Sequence, residues 1–186
     1  MGTGDGLFVY RRAREQPHKF FIGVDANSRP LEKISEKIYR KPAKGGLSNL
    51  LFAQSAVEDL PSELDGIVEE LLVNLPWGSL LAAIAGTNNP GLISLRRICM
   101  VGATMRITTA LDRERDATAI GRLQLSPFSL EYIDVTLVAI FRHAGFELVD
   151  RSVWRGSLGN ELQTSWAKRL RWDARREVVS IVARAT

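Results

Sequence analysis

The chain has 186 residues, of which 45% are hydrophobic and 25% are charged, and its formal net charge is +4. It is long enough to bury one sizeable core and short enough to form a single domain, residues 1–186. No apolar run is long enough to cross a bilayer, no secretory signal pattern opens the chain, and the single Cys99 excludes an internal disulfide, so we expect a cytoplasmic protein.

The predicted elements alternate between helix and strand after a glycine-rich turn at residues 2–6. In chain order they are a helix at 7–15, a strand at 20–25, a helix at 28–40, strands at 49–54 and 68–75, a helix at 79–85, a turn at 87–91, a strand at 98–111, a helix at 130–143 and strands at 146–154 and 177–183. This alternation indicates an α/β fold with a doubly wound, parallel sheet.

The start of the chain departs from the usual order of such folds. A glycine turn normally follows a buried strand, whereas this chain begins at the turn itself. We therefore expect that the true start lies upstream or that the chain is a fragment, and that the strands beside the gap lose a ladder partner.

Positive charge is concentrated in two segments. Residues 33–44 contain five basic residues and one acidic residue, and residues 154–176 contain six basic and two acidic residues. The remainder of the chain carries 14 basic and 18 acidic residues. Basic patches are typical of surfaces that bind nucleic acid, because Lys and Arg contacts to phosphate supply most of the non-specific affinity. Solvated faces of ordinary helices would give the same pattern, so charge alone leaves both interpretations open.

Glycines at positions 2, 4 and 6 predict a tight turn that approaches a ligand closely. Their spacing differs from the dinucleotide fingerprint and is that of loops that cradle the methionine part of a methyltransferase cofactor. Asp25, at the end of the next predicted strand, stands where a carboxylate grips a ribose diol. Glu58, after the third predicted element, stands where an acidic residue reaches an adenine edge. A plain turn and helix caps are the alternatives for these residues.

Residues 74–77, Asn-Leu-Pro-Trp, close a predicted strand at the edge of the sheet where ligands bind in open α/β folds. A proline-stiffened backbone with an aromatic ring offers a platform on which a base can stack, and an exposed carbonyl can accept from an exocyclic amine. Trp77 could instead be a core residue that follows a strand.

Five motifs occur together and in order: GTGDG at 2–6, FIGVD at 21–25, RKPAKGGL at 40–47, LPWG at 75–78 and SWAKRL at 165–170. With Lys37 and Ile38, they resemble the aminoglycoside-resistance methyltransferases that act on N1 of adenine 1408 in 16S ribosomal RNA. The resemblance runs to about Arg176. Relative to that family, the N-terminal hairpin and first strand are missing. The segment from Thr109 to Tyr132 departs from the family's pattern, so the resemblance assigns no base or rRNA contacts there.

The resemblance implies a Rossmann-like class I methyltransferase with a mostly parallel sheet and an antiparallel last strand. It implies S-adenosylmethionine as the cofactor. The residues that would hold it are Gly2, Thr3, Gly4, Asp25, Val57, Glu58, Asn74, Leu75, Thr164 and Ser165.

The resemblance also implies how the RNA is recognised. Trp77 and Trp166 would stack on both faces of the flipped adenine. The residues that would grip rRNA phosphates on the 30S subunit are Lys37, Arg40, Lys41, Lys44, Lys168, Arg169 and Arg176. No metal is expected, because His18 and His143 lie too far apart in sequence to suggest a pair.

Two alternatives remain open at this point. A transfer-RNA guanine-N7 methyltransferase would share the glycine turn, the acidic strand end and a Pro-Trp loop. A non-catalytic fragment could keep a basic, aromatic rRNA-binding surface without binding the cofactor. We expect a monomer that does not bind membranes.

Overall fold

The computed structural model describes residues 1–155 and 176–186. The strands are β1 Phe21–Asp25, β2 Leu50–Gln54, β3 Val68–Asn74, β4 Cys99–Leu111, β5 Phe146–Arg155 and β6 Glu177–Ala185. The α-helices are α1 Leu7–Glu15, α2 Glu32–Ile38, α3 Gly78–Ile84, α4 Asn89–Ile98, α5 Ala117–Arg122, α6 Leu130–Tyr132 and α7 Val138–His143. A π-helical turn, Ile133–Leu137, joins α6 to α7, and 3₁₀ segments lie at Arg29–Leu31, Pro42–Lys44 and Ser62–Leu64. Within these ranges no helix combines the length and hydrophobicity that a bilayer span requires.

The strands form two pieces of sheet. β1 pairs with β2 in parallel, and the second piece has the order β3-β4-β6-β5. β3 and β4 are parallel, whereas β6 is antiparallel to both of its neighbours. The predicted α/β architecture with an antiparallel last strand is therefore confirmed.

Residues 1–3 lie between the two pieces and connect them. The nitrogen of Met1 donates to the carbonyl of Leu72 in β3 (2.8 Å), and the amide of Thr3 donates to the carbonyl of Val24 in β1 (3.1 Å). We call the line between β1 and β3 the seam. Among the described strands β1 does not pair with β3, and residues 1–3 bridge the seam instead.

Two hydrophobic clusters hold the helices on the strands. The larger cluster lies around β3, β4 and β6 and includes the fully buried Met105, Phe141 and Ile181. The smaller one joins α1, α2 and β2 through six buried residues, among them Tyr10 and Ile34. The smaller cluster fixes α1 and α2 beside β1, which places the glycine turn and the basic face of α2.

Most predicted elements agree with the structure to within a few residues, but the predicted turn at 87–91 is partly wrong. Helix α4 begins at Asn89, within that stretch. The side-chain oxygen of Asn88 accepts from the amide of Gly91 (3.2 Å), and Pro90 lies in the first turn, where a missing N–H costs nothing. The Pro-Gly pair, which is typical of turns, here lies inside a capped helix start.

Candidate functional site

The glycine turn lies at the carboxyl end of β1 and is held there by Asp25. The amide of Gly4 donates to one carboxylate oxygen of Asp25 (2.7 Å), and the amide of Asn27 donates to the other (2.9 Å). Gly4 has a φ of 59°, a backbone conformation that glycine adopts without steric cost. Asp25 therefore organises the turn directly, and each of its oxygens keeps a further lone pair for a ligand donor.

Two features of the turn fit a polar ligand that lies close to the backbone. The hydroxyl oxygen of Thr3 is buried and has no hydrogen-bond partner among the described residues. A Cβ at Gly2 would lie 2.8 Å from a methyl group of Leu80, so the chain is packed against α3 with no room for a side chain. A buried unpaired hydroxyl is costly unless a partner completes it, which favours a bound group at this turn.

The loop after β2 places Val57 and Glu58 differently. The Val57 side chain is buried in the larger cluster, so its backbone is what remains to contact a ligand. Glu58 is exposed, and its carboxylate accepts from the side chains of Ser79 (3.3 Å) and Asn88 (2.7 Å). The two predicted residues thus lie together, but only Glu58 presents a side chain at the surface.

The turn from Asn74 to Gly78 follows β3 and presents Trp77. Leu75 has a φ of 51°, a left-handed conformation that is rare for a bulky residue and is also disfavoured before proline. Its amide donates to the carbonyl of Thr108 in β4 (2.7 Å), which holds the turn against the sheet. The Trp77 side chain is 47% exposed. A strained backbone that displays an aromatic ring is typical of a functional loop.

A separate cavity of about 150 Å³ lies beyond the carboxyl end of β4. Its lining is mainly apolar and includes Leu111, Leu125 and Phe128. Residues of the glycine turn, Asp25 and Glu58 do not contribute to it. The candidate cofactor site is therefore the open edge formed by the three loops after β1, β2 and β3, and not this cavity.

The basic face of α2 continues into the 3₁₀ segment that follows it. Arg40, Lys41 and Lys44 are exposed. Lys37 is half-buried, and its ammonium nitrogen lies 4.4 Å from the centre of the Tyr10 ring, a cation–π contact. The four predicted phosphate contacts of this segment therefore share one short stretch of surface.

The turn at residues 41–46 requires glycine at position 46. A Cβ there would lie 1.7 Å from the carbonyl oxygen of Arg40, a clash with backbone that no side-chain movement relieves. We expect Gly46→Ala to lower the free energy of unfolding by about 1–3 kcal/mol, measured by chemical denaturation, and to weaken RNA binding by shifting the basic residues. Gly121→Ala is the matched control: it meets no atom within 4 Å in α5 and should be neutral or stabilising. Equal losses in the two variants would contradict this account.

Arg176, predicted to contact phosphate, is largely buried in an ion pair. Its guanidinium donates to the carboxylate of Asp116 (2.7 Å) and to the carbonyl of Ala110 (3.3 Å), and both charged side chains are 12% exposed. Asp116 also accepts from the amide of Asp112 (2.9 Å). The amide of Arg115, with a smaller contribution from the charge of Arg176, lowers the pKa of Asp112. Arg176 thus ties the start of β6 to the turn after β4.

Breaking this buried pair should destabilise the fold. We expect Arg176→Ala to lower the free energy of unfolding by about 3 kcal/mol, because it leaves the Asp116 carboxylate buried without its partner. Arg151 and Asp134 form a comparable two-bond pair on the surface, with side chains 44% and 41% exposed. Arg151→Ala should therefore cost about 1 kcal/mol or less. Denaturation curves showing the same loss in both variants would refute the structural role of Arg176.

Five predicted site residues lie outside the described residues: Thr164, Ser165, Trp166, Lys168 and Arg169. Sequence reasoning missed Ser79, Asn88 and Asp116, the partners of Glu58 and Arg176. The helix-capping position of Asn88, just before Asn-Pro-Gly, was a signal that could have been used. No sequence signal pointed to Asp116, because its partner Arg176 is 60 residues away.

Comparison with known proteins gives one consistent result. Residues 1–185 match the family model "NpmA: 16S rRNA (adenine(1408)-N(1))-methyltransferase". The 16S rRNA (adenine(1408)-N(1))-methyltransferase of Streptoalloteichus hindustanus is 36% identical over 170 residues, which cover 91% of this chain and 78% of the relative.

Solved structures agree with the sequence comparison. The aminoglycoside resistance methyltransferase NpmB1 is 43% identical, with a TM-score of 0.85 over 100% of this chain and 84% of that one. A variant of the 16S rRNA (adenine(1408)-N(1))-methyltransferase from Catenulisporales acidiphilia, solved with its cosubstrate SAM, is 29% identical. It has a TM-score of 0.88 and covers 100% of this chain and 83% of that one.

Proposed function

The chain belongs to the 16S rRNA (adenine(1408)-N(1))-methyltransferase family, and from this we propose that it methylates N1 of adenine 1408, with S-adenosylmethionine as methyl donor, and confers aminoglycoside resistance. The observation that carries the proposal is the joint placement of three features at one edge of the sheet. These are the glycine turn bonded to Asp25, the carboxylate of Glu58, and the ring of Trp77.

The cofactor would lie across the loops after β1, β2 and β3. Asp25 would accept from the ribose hydroxyls and Glu58 from the adenine, while Gly2, Thr3 and Gly4 would line the methionine part. The hydroxyl of Thr3, which has no partner in the part of the chain that the structure describes, would supply a hydrogen-bonding group there. Backbone groups of Val57, Asn74 and Leu75 would complete the contacts, with Thr164 and Ser165. When bound, S-adenosylmethionine supplies an electrophilic methyl group.

The protein's role toward the base is positioning and charge stabilisation. Adenine N1 carries a lone pair, so no general base is required, but the base must leave its helix to be reached. Trp77 would stack on one face of the adenine and Trp166 on the other. Aromatic faces attract the positive charge that the methylated ring acquires, so stacking also favours the reaction itself.

The basic residues would hold the RNA. Arg40, Lys41 and Lys44 are exposed on one surface, and Lys37 borders it. We propose that this surface, with Lys168 and Arg169, contacts phosphates of the assembled 30S subunit and that the enzyme acts as a monomer. Arg176, whose guanidinium is held by Asp116, would tie the start of β6 to the turn after β4 and would offer the RNA only the small exposed part of its side chain.

Primer extension on 30S subunits treated with the enzyme and S-adenosylmethionine tests the proposal. We expect a reverse-transcription stop at adenine 1408 and 1-methyladenosine by mass spectrometry. Naked 16S rRNA tests whether the assembled subunit is the substrate, and sedimentation tests the monomer. Formation of 7-methylguanosine in transfer RNA would support the guanine-N7 alternative. RNA binding without S-adenosylmethionine binding would support the non-catalytic one.

A further inference from the structure

The carboxylate of Glu58 is held by donors from two helix starts. The side-chain amide nitrogen of Asn88 donates to Oε1 (2.7 Å), and the hydroxyl of Ser79 donates to Oε2 (3.3 Å). Ser79 lies at the start of α3, and Asn88 caps α4. An exposed glutamate would otherwise sample several rotamers, so these contacts fix the direction in which its oxygens point.

The orientation of the Asn88 amide is fixed from both ends. Its oxygen accepts from the amide of Gly91 (3.2 Å), as a helix cap requires, and its nitrogen faces Glu58. The same nitrogen lies 3.4 Å from the carbonyl oxygen of Ser79. Exchanging oxygen and nitrogen would place oxygen against Glu58 and nitrogen against an N–H donor, so only one orientation satisfies the network.

We propose that Asn88 is a positioning residue that orients Glu58 and thereby determines the preference of the site for a 6-amino purine. The inference rests on the proposed function, in which Glu58 meets the adenine of S-adenosylmethionine. An ionised carboxylate only accepts hydrogen bonds. An oriented Glu58 therefore raises the affinity for a ligand that presents an amine there and lowers the affinity for one that presents a carbonyl. Asn88 leaves the free lone pairs of both oxygens available for that amine.

Asn88→Asp separates this role from helix capping. Aspartate caps a helix as well as asparagine does, so α4 is retained. The variant replaces the donor to Glu58 with a second carboxylate, and two carboxylates at that distance repel unless they share a proton. We expect affinity for S-adenosylhomocysteine, measured by calorimetry, to fall about 10- to 100-fold at mildly alkaline pH. It should recover at mildly acidic pH, where the pair binds a proton.

Asn89→Asp is the matched control, because it adds the same charge one residue later, in the first turn of α4. It should leave both affinity and its pH profile near those of the wild type. The second readout is the ratio of affinities for S-adenosylhomocysteine and its inosine analogue. That ratio should be high in the wild type and should fall in Asn88→Asp and in Glu58→Gln.

The outcomes are distinguishable. A wild-type chain that does not bind S-adenosylhomocysteine would overturn the proposed function and this inference with it. A wild-type chain that binds, together with an Asn88→Asp variant of unchanged affinity, pH profile and purine preference, would overturn the positioning role of Asn88 alone.

Discussion

Replacing Trp77 by alanine is expected to lower the rate of methylation of 30S subunits by about 10- to 100-fold, because a base–aromatic stack contributes about 1–3 kcal/mol. The ring is 47% exposed and stands on a turn that β4 holds through the amide of Leu75. Its loss should therefore leave the fold and the binding of S-adenosylmethionine almost unchanged. Single-turnover kinetics on 30S subunits, with cofactor affinity measured in parallel, would check both.

Two further variants separate stacking from general loss of surface. Trp77→Phe keeps a ring on the same turn and should retain most of the activity. Phe20→Ala removes a ring that is 61% exposed just before β1, at the opposite end of that strand from the candidate site, and should be silent. Full activity in Trp77→Ala, with its fold intact, would exclude base stacking as the role of this residue.

Asp25→Ala is the second variant with a large expected effect. It removes the acceptor of the Gly4 amide and the group proposed to grip the ribose. Loss of hydrogen bonds to a charged group should lower S-adenosylmethionine affinity about 30- to 1,000-fold. Calorimetric titration would measure that affinity. Thermal unfolding would measure how far the loss of the Gly4 hydrogen bond lowers the stability of the fold.

Asp25→Asn is the informative comparison for this residue. The amide keeps one oxygen that can accept from Gly4 but loses the carboxylate that would accept from both ribose hydroxyls. An intermediate loss of affinity, about 10-fold, is therefore expected, together with some loss of stability, because the amide of Asn27 then loses its acceptor. If Asp25→Asn bound S-adenosylmethionine as tightly as the wild type, Asp25 would serve the turn and not the ligand.

The fold was largely predictable because its signals are local. Apolar runs bounded by Pro, Gly and Asn placed β1 and β2 to within one residue, and the glycine turn led directly into α1. The wrong prediction of a turn where α4 begins also has a local cause. The Pro-Gly pair is typical of turns, whereas the Asn88 cap makes the same residues the start of a helix. The short α5 had no apolar stripe that could have predicted it.

The position of the candidate site in the fold was predictable from the sequence, but the contacts between its residues were not. Asp25 ends β1, and Glu58 and Trp77 lie in the loops that follow β2 and β3, at the sheet edge where the rule for open α/β sheets places ligands. What the rule cannot give is the set of partners drawn from distant segments. Asn88 meets Glu58 across 30 residues and Arg176 meets Asp116 across 60, and such pairs follow from packing.

The seam has a consequence for how the protein unfolds. The β1–β2 unit is joined to the rest by the hydrogen bonds of residues 1–3 and by Val24 and Val57, whose side chains are buried in the larger cluster. Because residues 1–3 bond to both β1 and β3, a ligand bound at the glycine turn would hold the two pieces of sheet together, so the temperature at which the protein unfolds should rise with cofactor concentration.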